Sequence, residues 1–311
     1  MTVTKVLHFQ TIPLAAVLLL LGGSTAGCSV RKIAINNLSD AVAASGSTYA
    51  SDNDPQLVKA ALPFALKLME SLIAENPRHK GLLAGTAGGF TQYGFAFVQQ
   101  EAEEAEDTDL DASLRLRSRA RLLYLRARDY GLQGLDASHS GFSAALRSNP
   151  KTAVQAAKPG DVPLLYWTAV SWAAAISVSK DDSELIGDLP IVEALIDRAL
   201  ALNESYDSGA IHAFLITYEM IRPGGKGDAV ERARKHFEQA MELSGGLLAS
   251  PLVAYAESIA VFDQDKAGFE SHLKRALAID PNAKPEWRLS NLIYQHRARW
   301  LLDRIDRIML E

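Results

Sequence analysis

Apolar residues recur at helical spacing through most of this 311-residue chain, and this periodicity limits the fold more than any other feature of the sequence. Two segments show it most clearly: Leu57, Ala61, Phe64, Ala65, Leu68 and Leu72, and then Val192, Leu195, Ile196, Ala199 and Leu200. Such spacing places these residues on one stripe of a helix, which a globular fold buries. No two alternating β-branched runs are joined by Asn-Gly or Asp-Gly, a strong hairpin signal. The sequence therefore predicts an all-α fold.

Five predicted helix ends resemble one another. They lie at 72–77, 145–150, 198–203, 239–244 and 275–281, and equivalent positions in the last three, Leu200, Met241 and Leu277, are separated by 41 and 36 residues. Tetratricopeptide repeats are pairs of antiparallel helices, about 34 residues long, that stack into one continuous core with a concave face. The spacing predicts a single domain over 51–311, a tetratricopeptide-like helical repeat stack or α-solenoid. A generic helical bundle is the alternative.

Polar residues and prolines predict where the helices of this domain begin and end. The expected helix starts are at Asp54, Asp188 and Asp228, and the expected ends are at Asn76, Asn203 and the turn at 222–228. The segment from Trp287 to Leu310 is amphipathic and predicts one long helix. That helix is expected to cap the stack, because a terminal repeat must cover the last apolar face. Alternatively it forms a subunit contact, which would make the protein a homo-oligomer, for example a trimer.

The N-terminus has the features of a lipoprotein signal peptide. Lys5 is the one formal charge before Cys28, and the apolar run at 12–21 is about half as long as a membrane-spanning helix. The small residues at 22–27 and Cys28 resemble a bacterial lipobox, although Thr25 stands where leucine is usual. We expect a signal peptide at 1–27, lipidation of Cys28, and an anchored segment and linker at 28–50. A general secretory cleavage site is the alternative. Ser29 favours the outer membrane over the inner one, with the body in the periplasm.

Composition and motifs argue against several classes of function. The formal net charge of −5 and a pI near 5.8 give no reason to bind nucleic acid. One cysteine excludes an intramolecular disulfide and a cysteine-based zinc site, and no two of the seven histidines have the i, i+4 spacing of a helical zinc site. The acidic run at 107–118 lacks the glycine and glutamate of a calcium loop, and no phosphate-binding loop or nucleophile elbow is present. We expect neither a metal, a cofactor nor catalysis.

Aromatic residues near small residues form the first candidate ligand site. Tyr166, Trp167 and Trp172 lie within seven positions of a segment rich in alanine, and Tyr93 follows a glycine-rich segment. Aromatic rings beside alanines and glycines either fill the groove between two helices or line a ligand pocket. These four residues are therefore candidate pocket walls, with core packing as the alternative.

An acidic block at 101–111 is followed by a basic block at 115–128. One interpretation is that acids near a helix start and arginines towards its end complement the helix dipole. The other uses the planar arginine fork, which holds a carboxylate through two hydrogen bonds. Arg115, Arg119 and Arg126 share one helical face with Leu122, so they are candidate ligands for an organic acid or for an acidic patch of a partner.

Several segments together resemble one protein family. Besides the lipobox they are Asn36-Asn37-Leu38, Ser51-Asp52-Asn53-Asp54-Pro55, Ala61-Leu62-Pro63-Phe64-Ala65-Leu66-Lys67-Leu68 and Gly89-Phe90-Thr91-Gln92-Tyr93. The combination resembles the TatT family, periplasmic lipoproteins associated with TRAP transporters. The resemblance implies a tetratricopeptide-like stack that binds the periplasmic substrate-binding protein of the transporter and relays a small organic acid, for which a hydrophobic acid is a candidate. It supplies no catalytic residue. A general envelope scaffold with no small-molecule ligand is the alternative.

Overall fold

The computed structural model describes residues 36–41 and 46–309. The predicted signal peptide at 1–27 and the predicted lipidation site Cys28 lie outside the described residues. Every regular element in the described ranges is helical, which confirms the all-α prediction. Across the same ranges, no helix combines the length and the apolar character needed to cross a membrane.

Long helices account for most of the described chain, and we number them α1 to α10. They are α1 Pro55–Glu75, α2 (Lys80–Gly94, then Phe95–Gln99 and Gln100–Ala105), α3 Leu110–Ser138, α4 Val162–Ser177, α5 Leu189–Leu202, α6 Ala210–Ile221, α7 Ala229–Leu243, α8 (Ser250–Tyr255, then Ala256–Ala260 and Val261–Asp263), α9 Lys266–Ala278 and α10 Arg288–Leu302. The middle segments of α2 and α8 are π-helical turns. Shorter helices are Gly46–Ala50, Phe142–Ser148, Pro150–Ala153, Ser183–Ile186 and Ile305–Ile308, with 3₁₀ turns at Val154–Ala156, Pro159–Asp161, Tyr206–Gly209 and Pro285–Trp287.

The helix starts follow the predicted residues closely. The Asp54 carboxylate accepts hydrogen bonds from the backbone N–H groups of Gln56 and Leu57, each at 3.0 Å. The Asp228 carboxylate accepts one from Val230 at 2.8 Å. Asp188 precedes α5 as predicted, but its side chain makes no cap hydrogen bond. Helices α1 and α5 end at Glu75 and Leu202, each one residue before the predicted ends at Asn76 and Asn203.

Neighbouring helices pack closely because small residues lie where they cross. At Gly131 of α3, an added Cβ would lie 2.1 Å from the Thr168 hydroxyl oxygen of α4. No side chain larger than hydrogen fits there without moving α4. One buried apolar cluster extends from α1 to α6 and also includes Ile293 of α10, and a second lies among α8, α9 and α10. The helices therefore share an extended core, as stacked helix pairs do.

The last long helix, α10, contacts α2 and the segment just before α1, so the array of helices closes into a ring. The Arg288 guanidinium of α10 donates to the Ser51 carbonyl oxygen at 2.7 Å, before α1 begins. Further along α10, the ring of Tyr294 lies 5.6 Å from that of Phe95 in the π-turn of α2. Arg297 donates to Glu103 of α2 at 2.7 Å. α10 therefore covers the apolar faces at both ends of the array.

The contacts that close the ring also explain part of the acidic block at 101–111. Glu103 pairs with Arg297, and Glu104 lies 2.7 Å from His296. Asp107 pairs with Arg304 at 2.8 Å, beyond the end of α10. The helix-dipole interpretation holds for Asp109, which caps α3, and for Asp111 in its first turn. Glu103, Glu104 and Asp107 instead hold the C-terminal segment. The predicted single helix over 287–310 ends at Leu302.

A histidine pair, in which His212 is buried and His236 is half-buried, links α6 and α7. The Nδ1 atoms of His212 and His236 lie 2.8 Å apart, so one ring must donate to the other. Glu204 lies 3.5 Å from His212, and the charges of Glu219 and Arg222 also influence the pKa of His236. Burial lowers the pKa of both imidazoles, that of His236 to about 4. The folded protein therefore holds both rings neutral at pH 7.

This pair predicts a loss of stability in acid. Because the unfolded histidines titrate near 6.5 and the folded His236 near 4, protons bind preferentially to the unfolded chain, and stability falls as the pH falls through this window. We expect the His236 contribution to decline by about 2 kcal/mol between pH 7 and pH 4. Urea unfolding of the wild type and of His236→Gln at both pH values measures it. Parallel pH profiles for the two proteins would contradict this expectation.

Candidate ligand-binding concavity

The seven predicted site residues fall in separate parts of the structure. Tyr166 and Trp167 lie near the start of α4. Tyr93, on α2, packs beneath the arginines of α3, and Trp172 is enclosed further along α4. The structure therefore divides the predicted residues among an aromatic concavity, an outer face and the core.

Tyr166 and Trp167 form the first part of the concavity. Their rings meet edge to face with centroids 4.8 Å apart, and the Tyr206 ring lies 5.3 Å from that of Tyr166. The Trp167 indole also lies close to the Tyr206 side chain. Gly88 of α2 makes room for the indole, because an added Cβ would lie 2.8 Å from it. Three aromatic rings are thereby fixed relative to one another.

A strained turn places a carboxylate beside these rings. Asp207, Ser208 and Gly209 all have left-handed backbone conformations, with φ of 44°, 54° and 95°. Two successive non-glycine residues in this region cost free energy that the surrounding fold must supply. Burial raises the pKa of Asp207, although its side chain remains exposed to solvent. The carboxylate therefore lies at the surface, next to rings that are mostly packed against the core.

Helix α10 and the loop before it contribute further residues to this group. Tyr294 lies near Tyr166, and burial raises its pKa to about 12. The Lys284 ammonium lies 3.3 Å from the centroid of the Trp287 ring, and its charge opposes the rise in the pKa of Asp207. We call Tyr166, Trp167, Tyr206, Asp207 and Tyr294 the aromatic concavity. Lys284 and Trp287 lie at its rim.

Sequence reasoning missed three members of this group. Tyr206 and Asp207 follow a polar loop, and Tyr294 lies on a helix assigned to capping. The Ser-Tyr-Asp-Ser-Gly composition of 205–209 signals a turn, but no local pattern tells which helix that turn faces. The surface depressions along Asp197–Glu204 and on α9 contain no aromatic lining residue.

The predicted arginines lie on an exposed face of α3. Arg115, Arg119, Leu122 and Arg126 are all exposed, and we call these four the arginine face. The Arg119 guanidinium carbon lies 5.9 Å from the centroid of the Tyr93 ring, which is itself buried. These residues are placed to meet a molecule outside the array rather than a ligand within the aromatic concavity.

Two contacts define the surroundings of this face. The guanidinium of Arg126 lies 5.5 Å from the Phe90 ring and 3.6 Å from Glu70 of α1. Glu70 also accepts a hydrogen bond from the Tyr130 hydroxyl at 2.8 Å, so α1 runs beside α3. Phe64 of α1 is 75% exposed, and Leu122 is 64% exposed. The outer surface of α1 and α3 thus combines apolar and cationic side chains.

Trp172 is fully buried. Its ring packs against the guanidinium groups of Arg128 and Arg147, whose central carbons lie 4.9 and 5.8 Å from the ring. Its indole N–H has no hydrogen-bond partner among the described residues. This position favours the packing interpretation of Trp172. Tyr166 is also buried, with 8% of its surface exposed, and Trp167 is half-buried against the same core.

These features define a class of protein. The array of packed helices belongs to the all-α class and resembles a stack of helical repeats. Over residues 36–41 and 46–309, no three histidine, cysteine, aspartate or glutamate residues are grouped to hold a metal ion.

Comparison with known proteins identifies the family. Residues 51–309 match the family model described as TRAP transporter T-component, so the chain belongs to that family, as its resemblance to TatT predicts. The chain is also similar to a protein of Treponema pallidum (strain Nichols) described as an uncharacterized protein. The two are 29% identical over 304 residues, which cover 92% of this chain and 94% of the relative.

Proposed function

We propose that the protein is a lipid-anchored, extracytoplasmic accessory component of a TRAP-type transport system. It binds the substrate-binding protein of that system and helps to relay a small organic acid without bond chemistry. The observation that carries this proposal is the family match over nearly the whole helical array, 51–309. Lipidation of Cys28 would hold the body at the outer membrane, because acyl chains contribute about 0.8 kcal/mol per buried CH₂.

The two surfaces have different roles in this proposal. The arginine face receives the substrate-binding protein, because exposed guanidinium groups beside Leu122 suit an acidic patch with apolar residues. The aromatic concavity receives the ligand. An envelope scaffold without a ligand is the second candidate, and the exposed Phe64 and Leu57 on α1 favour protein contact of that kind. A homo-oligomer would use part of the same surface.

We expect charge reversal on the arginine face to weaken the complex with the substrate-binding protein of the same transport system. Arg115→Glu/Arg119→Glu should raise the Kd at least tenfold, because each replacement opposes an acidic patch. Lys151→Glu/Lys180→Glu is the matched control, since it makes the same charge change at exposed lysines elsewhere. Isothermal titration calorimetry measures the affinity, and native mass spectrometry records subunit number and any retained ligand. No complex well above micromolar concentration, or equal losses in both double variants, would contradict the proposal.

A further inference from the structure

We infer that the outer face of α1 lies on an anionic lipid bilayer, with its apolar side chains among the lipid headgroups. The inference rests on the lipid anchor of the proposed function and goes beyond it, because it names the surface of the folded body that meets the membrane. Three observations carry it: the apolar character of both faces of α1, the charges on its outer face, and the place where the anchored segment joins the body.

Helix α1 is apolar on two opposite faces. The inner face buries five side chains in the core: Val58, Leu66, Met69, Leu72 and Ile73. The opposite face exposes an apolar stripe, which we call the outer stripe, made of Leu57, Ala60, Ala61, Phe64 and Leu68. Phe64 is 75% exposed, Leu57 57% and Leu68 39%. A helix that is apolar nearly all round is normally covered on both faces, so the outer stripe requires a second apolar environment.

The charges near the outer stripe suit an anionic surface. Over 55–74 the sequence contains one carboxylate, that of Glu70. Its side chain is 11% exposed and is occupied by Lys67, by the Tyr130 hydroxyl and by Arg126. The Lys67 side chain, in contrast, is 68% exposed beside the stripe. An apolar helix face flanked by cations and free of exposed acids is typical of proteins that lie on anionic membranes.

The anchored segment joins the body at the end of α1. The side-chain amide of Asn76, which follows α1, donates to the side-chain oxygen of Asn36 at 2.6 Å, and Asp40 lies 3.0 Å from His79. Asn36 is eight residues after Cys28. A chain of that length spans at most about 28 Å when fully extended. Acyl chains on Cys28 therefore hold the end of α1 close to the bilayer.

This tether favours a lipid surface over other partners of the outer stripe. Phe64 lies about 18 Å along the helix axis from Asn76, so the stripe and the attachment point of the tether belong to one helix. A short tether gives the bilayer an effective concentration on the order of millimolar, which a partner in dilute solution does not have. The sequence of 28–35 also adds Arg31 and Lys32 without any acid, and these cations attract anionic headgroups.

The test measures how deeply residue 64 enters the bilayer. Because Cys28 is the one cysteine of the chain, the lipidated Phe64→Cys variant has a single free thiol for a nitroxide spin label. The full chain is reconstituted in vesicles of phosphatidylethanolamine and phosphatidylglycerol. Electron paramagnetic resonance then compares the accessibility of the label to oxygen, which concentrates in lipid, with its accessibility to a water-soluble nickel chelate.

We expect the oxygen-to-nickel ratio to be at least threefold higher at position 64 than at position 262. Phe262→Cys is the matched control, because Phe262 is an equally prominent phenylalanine on α8, 68% exposed. With phosphatidylcholine in place of phosphatidylglycerol, the ratio at position 64 should fall at least twofold, since the anionic headgroups are lost. Circular dichroism and thermal unfolding establish that both labelled variants fold.

Equal ratios at the two positions, in chains that float with the vesicles, would overturn the inference and leave the lipid anchor standing. Failure of the chain to float would refute the anchor and the inference together. A label at position 64 that is shielded from both reagents without vesicles would show that protein covers the stripe, and native mass spectrometry would then reveal a second copy. An equal ratio in both lipid mixtures would overturn the choice of an anionic surface. Binding to the substrate-binding protein is measured separately and does not depend on these outcomes.

Discussion

Replacing Arg297 by methionine should destabilise the folded protein by about 3 kcal/mol, because it leaves two largely buried carboxylates without a counter-ion. The Arg297 guanidinium donates to both oxygens of Glu257 at 2.6–3.0 Å and to Glu103 at 2.7 Å. Its side chain is 11% exposed, whereas those of Glu103 and Glu257 are 22% and 27% exposed. The π-turn of α8 carries Glu257, and the adjoining segment of α2 carries Glu103, so one guanidinium holds three elements together.

The control for this prediction removes the carboxylates as well. Arg297→Met/Glu103→Gln/Glu257→Gln lacks all three charges, so it should recover at least half of the lost stability. Urea unfolding followed by circular dichroism measures both variants. Hydrogen exchange should rise in α10 and in Gly46–Ala50, which the ring closure joins. A loss below 1 kcal/mol in the single variant, or a triple variant as unstable as the single one, would show that this network does not hold the ring closed.

Trp172→Ala should cost about 3–5 kcal/mol, because it empties a fully buried site that the rigid helices around it cannot refill. It also removes the ring against which Arg128 and Arg147 pack. Trp172→Phe keeps an aromatic face and removes an indole N–H that has no partner among the described residues. It should therefore cost less than half as much.

Thermal and urea unfolding of the two Trp172 variants test this packing role. A loss of stability below about 1 kcal/mol in Trp172→Ala would contradict the packing role.

Ring closure and the concavity depend on the same helix. α10 carries Arg297, which holds the array closed, and one turn earlier Tyr294, which lies near Tyr166. The Phe95 ring contacts both, since it lies 5.6 Å from the Tyr294 ring and 5.8 Å from the Arg297 guanidinium carbon. Loss of Arg297 is therefore expected to displace Tyr294 as well as to lower stability.

Local features of the sequence determined the helices themselves. Apolar spacing identified the buried stripes, and Asp54 and Asp228 cap the helices that they were expected to start. These signals act over a few residues, because a cap or a helical stripe depends on hydrogen bonds and side chains within one or two turns. The family, too, was evident from short segments of the chain.

Only the tertiary structure decided which distant residues meet. Glu103 and Arg297 are 194 residues apart, and neither the acidic block nor α10 carries a local signal for the other. The same holds for Asp207, whose place beside Tyr166 and Trp167 depends on how α4, α5 and α6 pack. Burial and charge pairing act between residues that are far apart in the chain. The sequence by itself therefore determined the helices and the family, whereas long-range packing decided that the array closes and which residues lie beside Tyr166 and Trp167.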